Sequence, residues 1–146
     1  KKNIEILVKD WKIKTLITDD INEIENNYLY SKYALVCSGT ASLEIAKRNI
    51  PQLIIYKLNY FTELILKQLT TIRYANIINI IENKMIIPEI TNSNLNHNNF
   101  LNEFSKLIHD DKANKKQIFN INNSLPKIES NISPYKIASD SLLKYF

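Results

Sequence analysis

The sequence predicts an α/β fold, a parallel sheet with flanking helices. Three observations carry that expectation. Short apolar runs of strand length alternate with amphipathic segments of helix length through the first half of the chain, the pattern of βαβ units. The single glycine in 146 residues, Gly39, falls where one apolar run passes directly into a helical pattern. With 45% hydrophobic and 23% charged residues, the chain can bury the core of one domain.

Residues 5–8 and 15–18 are short apolar runs rich in β-favouring side chains and are predicted as strands. Asp19-Asp20 supplies carboxylates suited to capping a helix over 21–31. Residues 33–37 form the next compact apolar run. From 40 to 48 the period becomes helical, with Leu43 and Ala46, and Ala41 and Ile45, in apolar rows. Asn49 ends that helix and Pro51 stands just beyond it. Residues 52–56 read as a buried strand and 60–71 as a second, strongly amphipathic helix.

The second half is less regular. Residues 76–90, interrupted by Asn79, Glu82-Asn83-Lys84 and Pro88, are expected as a loop with short helical turns crossing the top of the sheet. An Asn-rich linker over 92–99 leads to a helix ending near His109, with Phe100, Phe104, Leu107 and Ile108 on its apolar face. A looser helix over 113–120 and a connector over 122–131 containing Pro126 follow. Ser133-Pro134 opens a final helix with Ala138, Leu142 and Tyr145 in its apolar row. Three or four strands are fewer than a doubly wound domain usually has, and the chain begins with Lys1 rather than Met. Both features lead us to expect part of a larger enzyme.

Composition narrows the function classes. No apolar run reaches the roughly 18 to 20 residues of a membrane-spanning helix, and a signal peptide is not expected, since no basic stretch followed by an apolar one opens the sequence. Cys37 is the sole cysteine, so an internal disulfide is excluded and a reducing cytoplasm is expected. It reads as a buried structural thiol, and His97 and His109 read as surface residues, so neither a metal nor a cofactor is expected. The net charge of +4 is spread, with one loose group at Lys112, Lys115 and Lys116. Nucleic acid is therefore not expected as a partner. The apolar side chains of 60–71 read as core, with acyl chains, a membrane or a second subunit as the alternative cover. Abundant Ile, Asn and Lys suit an AT-rich bacterial genome. Against that bias, a retained glycine is expected where the backbone needs one.

Chemistry concentrates at Cys37-Ser38-Gly39-Thr40-Ala41-Ser42-Leu43-Glu44. A strand ending in a sharp turn into a helix puts free N–H groups near Thr40, Ala41 and Ser42 beyond the strand's carboxyl end. With the helix dipole they suit a phosphate or diphosphate. Gly39 would admit the ligand closely, and the Ser38 and Thr40 hydroxyls can donate to phosphate oxygens. Glu44, one turn on, can accept from the vicinal hydroxyls of a ribose. A plain β–α junction with a solvated Glu44 is the competing reading of these residues alone.

Residues 34–56, ALVCSGTASLEIAKRNIPQLIIY, resemble the lipid-A-disaccharide synthase family, glycosyltransferases of the GT-B fold. The likeness continues through Lys57-Leu58, the helix over 60–71, Tyr74-Ala75-Asn76-Ile77-Ile78-Asn79-Ile80-Ile81 and Ile86-Ile87-Pro88-Glu89. It implies a Rossmann-like domain, the C-terminal part of a GT-B enzyme, with residues 1–90 as the UDP-sugar-binding half and 91–146 as helices completing it. It implies that Ser38, Gly39, Thr40, Ala41 and Ser42 face UDP, that Glu44 meets the ribose and that Asn79 belongs to the nucleotide site. Lys57, Lys84 and Glu89 are weaker candidates, since Arg is common in the family where the two lysines stand. Glu82-Asn83 replaces a small Ala-Gly pair and Ile78 a proline.

The implied reaction moves 2,3-diacylglucosamine from UDP to 2,3-diacylglucosamine 1-phosphate, releasing UDP, in lipid A biosynthesis. Its partners would be those two lipids, the inner-membrane surface and a missing N-terminal domain, with a homodimer left open. No residue here suits the catalytic base, so the isolated chain is expected to be inactive, cytoplasmic and peripheral on the membrane. Rival readings are a muramyl-peptide N-acetylglucosamine transferase, a UDP-sugar epimerase, or a non-catalytic nucleotide-binding remnant.

Overall fold

The structure, a computed structural model, describes residues 2–37, 39–57, 74–129 and 133–144. The amphipathic helix expected over 60–71 lies outside them, as does Tyr145. Two compact units divide the chain, Lys1–Lys32 and Tyr33–Phe146.

In the first unit, α1 spans Lys2–Val8 and α2 spans Ile21–Tyr30. The strands expected at 5–8 and 15–18 are not formed. Ile4, Leu7 and Val8 stand at helical spacing, and no strand among the described residues pairs with this segment, so a helix satisfies its backbone locally. Residues 15–18 follow local bonds instead: the Thr15 hydroxyl donates to the Ile13 carbonyl at 3.2 Å, and the Asp20 N–H donates to Thr18 Oγ1 at 3.1 Å. Helix α2 starts as anticipated, with the Asp20 carboxylate accepting from the N–H groups of Asn22 and Glu23 at 2.8 and 3.1 Å.

The second unit carries a parallel sheet, three-stranded among the described residues, in the order β1 (Ala34–Val36), β2 (Gln52–Tyr56), β3 (Glu89–Thr91). Ala34 pairs with Gln52 and Val36 with Ile54, whereas Ile54 pairs with Glu89 and Tyr56 with Thr91. Between β1 and β2 runs α3 (Gly39–Lys47). Between β2 and β3 lies α4 (Ile77–Glu82). The short turn within 76–90 is thus present, but Glu89–Thr91 is a strand that the sequence reading missed. A 3₁₀ turn at Asn92–Asn94 takes the first part of the expected linker, and the helix expected to end near His109 is α5 (His97–His109), which starts within that linker. Helix α6 (Asp111–Ser124) is longer than expected and passes into a 3₁₀ turn at Leu125–Lys127. Helix α7 (Pro134–Leu143) closes the described chain, with Ala138 and Leu142 exposed.

Side-chain alternation along β2 sets the layers. Leu53 points to one face, where it joins buried Ile90 and Leu107 and the rings of Phe100 and Phe104 from α5. Those two rings stack with centroids 5.4 Å apart. Gln52 points to the other face, where α3 lies and its amide meets Ser42. The result is helix, sheet, helix, as an α/β unit requires.

Helices α3 and α4 end alike. Asn49 and Asn83 sit at φ 57 and 47°. The next N–H groups, of Ile50 and Lys84, reach back to the Ile45 and Asn79 carbonyls at 3.4 and 3.1 Å. That is the six-to-one bond of a Schellman ending. The departure from Ala-Gly at residues 82–83 is thereby explained, because Asn is the commonest substitute for Gly in left-handed backbone.

Candidate functional site

Helix α3 begins at Gly39, two residues beyond Cys37, at the carboxyl side of the sheet. Its first turn, Gly39 to Ala41, has N–H groups with no earlier intrahelical acceptor. Gly39 and Thr40 are exposed and Ala41 is half-buried. Ser38 lies outside the described residues, and Cys37 before it, expected as a buried thiol at the strand end, is exposed instead. Gly39 itself corrects one expectation: its φ is not positive, and a Cβ built there meets nothing within 4 Å. The described backbone does not require glycine at this position.

Ser42 is placed differently from its neighbours. Its hydroxyl is fully buried, donating to Gln52 Oε1 at 2.8 Å and accepting from Asn76 Nδ2 at 2.7 Å. Gln52 Nε2 returns a bond to the Ser42 carbonyl at 3.0 Å. The Gln52 backbone in turn exchanges two bonds with the Gln117 amide, at 2.8 and 3.0 Å. The Ser42 side chain therefore ties α3 to β2 and to the start of α4.

Asn79 is also wholly engaged. Its Oδ1 accepts from the Ile86 and Ile87 N–H groups at 2.8 and 2.9 Å, and its Nδ2 donates to the Ile87 carbonyl at 2.7 Å and to Glu89 Oε1 at 2.6 Å. Both donors and both lone pairs are used, so this amide folds the 83–88 loop back onto its own helix. Glu89 completes the arrangement: its carboxylate accepts from the Ala75 and Asn76 N–H groups at 2.6 and 3.4 Å. A carboxylate at the start of β3 thus caps α4 from outside, where the helix dipole favours negative charge. Ser42, Asn76, Glu89 and Asn79 form one continuous hydrogen-bonded path. Among the described residues no buried side-chain nitrogen or oxygen is left without a partner.

The other candidates are dispersed. Glu44 is exposed on α3, and Lys57 is exposed just after β2. Lys84 lines a cleft of about 250 Å³ with Gln52, Lys106, Leu107 and Lys116, which Gly39, Thr40 and Glu44 do not line. Glu82 bonds Lys127 Nζ at 2.7 Å, and that bond, with one from Ser124, holds its carboxyl below the ordinary value of 4.5. No group of three or more metal-ligating side chains occurs among the described residues. Asn76, Gln52 and Gln117 went unremarked in the sequence reading, although Gln52, a polar residue opening a strand that is otherwise apolar, was a visible signal.

Fold and turn together define an α/β, Rossmann-like unit with an exposed helix start at the end of a parallel strand. Comparison with known proteins sharpens this. The family model for lipid-A-disaccharide synthetase matches residues 1–137, and the chain belongs to that family. Similar proteins include the lipid-A-disaccharide synthase of Rickettsia bellii (strain OSU 85-389), 34% identical over 82% of this chain and 32% of that protein. That of Rickettsia felis is 31% identical over 91% of the chain and 37% of its own length. The protein of the same name from Gluconobacter oxydans is 28% identical over 78% and 28%. The chain thus spans about a third of the length of these relatives.

Proposed function

We propose that this chain is the UDP-binding C-terminal part of a lipid-A-disaccharide synthase. The complete enzyme would transfer 2,3-diacylglucosamine from UDP to 2,3-diacylglucosamine 1-phosphate. The acceptor hydroxyl attacks the anomeric carbon, the bond from that carbon to the diphosphate breaks, and UDP leaves with the electron pair. The hydroxyl proton passes to a general base supplied by the N-terminal part. What carries the reading is the family match across residues 1–137, which spans the open turn at Gly39-Thr40.

Within this chain, the Gly39, Thr40 and Ala41 N–H groups meet the diphosphate, and Glu44 meets the ribose hydroxyls. Ser42, Asn79 and Glu89 serve by position: their side chains hold α3, α4 and β3 in register behind the turn. Lipid-linked substrates would bring the enzyme to the inner-membrane surface.

Titration calorimetry with UDP, ADP and GDP tests the ligand class, and equal affinities would sink the uridine assignment. Glu44→Ala in the complete enzyme is expected to weaken UDP binding about tenfold with unchanged unfolding, by loss of one or two charge-assisted hydrogen bonds. An unaltered affinity counts against the ribose role. The chain alone is expected to give no disaccharide; turnover by it would refute a base located elsewhere.

A further inference from the structure

Strand β2 opens with a residue that β3 cannot pair. In a parallel ladder the N–H and carbonyl of one residue turn to the same side, and successive residues turn to opposite neighbours. The Ala34 N–H donates to the Pro51 carbonyl at 2.9 Å, on the β1 side of β2, and the Ile54 N–H donates to the Pro88 carbonyl at 2.9 Å, on the β3 side. Gln52 stands two residues before Ile54, so its backbone also turns toward β3. One step down that ladder, the donor to the Gln52 carbonyl would be the N–H of residue 88, which is proline and has none. Strand β3 accordingly starts at Glu89, opposite Ile54.

Gln117 fills the gap from α6. Its Oε1 accepts from the Gln52 N–H at 2.8 Å, and its Nε2 donates to the Gln52 carbonyl at 3.0 Å. Among side chains only a primary amide offers a peptide's donor and acceptor side by side, so Gln117 stands in for the strand residue that proline denies. Gln52 is fully buried and Gln117 is 6% exposed, which leaves no water to replace either bond.

The side chain of Gln52 repeats the clasp on the next layer. Its Oε1 accepts from the Ser42 hydroxyl at 2.8 Å, and its Nε2 donates to the Ser42 carbonyl at 3.0 Å. Ser42 is the fourth residue of α3 and follows directly on Gly39, Thr40 and Ala41, the residues with unsatisfied N–H groups. Two clasps in series therefore run from α6 through β2 to the first turn of α3. A pair of bonds fixes direction as well as distance, since it resists the rotation that a single bond permits.

We propose that Gln117, acting through Gln52, is a positioning residue for the nucleotide: it sets the direction in which the Gly39, Thr40 and Ala41 N–H groups point at the diphosphate. The proposal deepens the nucleotide reading above and rests on it. Neither amide touches the ligand. Their effect falls on the diphosphate, which meets the turn, and spares the uracil and ribose, which do not.

NMR and calorimetry on the full chain test this together. Gln117→Leu removes the first clasp, and Gln52→Met removes the second while keeping the first. Ile121→Val, one turn along the same buried face of α6, is the packing control. Both amide variants should move the amide resonances of Gly39, Thr40 and Ala41, and the control should leave them in place. Both should weaken UDP binding about tenfold, through poorer charge-assisted bonds to the diphosphate, and leave uridine binding within about twofold. If Gln117→Leu loses its native spectrum, Gln52→Met carries the test. Unmoved resonances in the amide variants, or UDP and uridine weakened alike, overturn the proposal. So does an Ile121→Val spectrum that shifts at residues 39–41 as much as theirs. An unaltered chain that fails to bind UDP condemns the nucleotide reading instead, and the resonances then decide by themselves whether the two clasps aim the turn.

Discussion

Asn79→Ala is the substitution whose outcome the geometry fixes most closely. The side chain is fully buried and makes four bonds, two accepted from the Ile86 and Ile87 N–H groups and two donated to the Ile87 carbonyl and Glu89. Truncation leaves the N–H and carbonyl of buried Ile87 without partners and removes one donor from the Glu89 carboxylate. Glu89 keeps its bonds from Ala75 and Asn76, and Ile86 is partly exposed. The cost therefore comes mainly from two orphaned groups at about 1 to 3 kcal/mol each, or about 2 to 4 kcal/mol once water fills part of the space. Native-state hydrogen exchange suits a chain of two units better than one unfolding curve does. The Ile54 N–H, bonded to the Pro88 carbonyl at 2.9 Å, sits where the loop meets the sheet. Its protection should fall by about 30- to 1,000-fold. If protection holds and only nucleotide affinity drops, Asn79 is a ligand contact, and the structural role argued from its four bonds is wrong.

Ser42→Ala should cost about 2 kcal/mol, because Gln52 Oε1 loses a donor and Asn76 Nδ2 loses an acceptor in the interior; urea unfolding followed by tyrosine absorbance checks it. At Asn83, φ 47° makes Gly neutral or stabilising by up to about 1 kcal/mol and Val destabilising by about 1 to 2. Identical midpoints for the two variants would refute the left-handed ending of α4. Glu82 is held below 4.5 by Lys127 and Ser124. Since folding depresses its pKa, its contribution is present above the unfolded value and is lost as pH falls through the folded one. A carboxyl-carbon NMR titration should put its midpoint below 4.5 in the native chain and closer to 4.5 in Lys127→Met.

What could be read from the sequence follows from how locally each feature is encoded. Helix α2 and its Asp20 cap, α3 with Asn49 beyond it, and strand β2 each rest on a few adjacent residues. Strand β3 did not announce itself, because Glu89–Thr91 is three residues long and exists through its pairing with β2. Residues 5–8 failed in the opposite sense: an apolar run of four is compatible with either period, and Ile4, Leu7 and Val8 in one row suit the helix that forms. The turn at Gly39 was found from one glycine after a strand, yet its glycine was expected for a backbone reason that the structure does not support. The path from Gln117 through Gln52, Ser42 and Asn76 to Glu89 joins residues up to 65 apart in sequence, which no local pattern can display.

The register of the sheet has a consequence for that turn. Strand β1 stands opposite residues 52–54 of β2, while β3 stands opposite 54–56. The carboxyl edge is therefore a stair, with β3 about 7 Å higher than β1 at 3.3 Å per residue. Helix α3 starts from the lower tread. At that first turn Gly39 and Thr40 are exposed. An anion bound at that helix end would therefore lie about two residues below the end of β3, close to the positive pole of the α3 dipole.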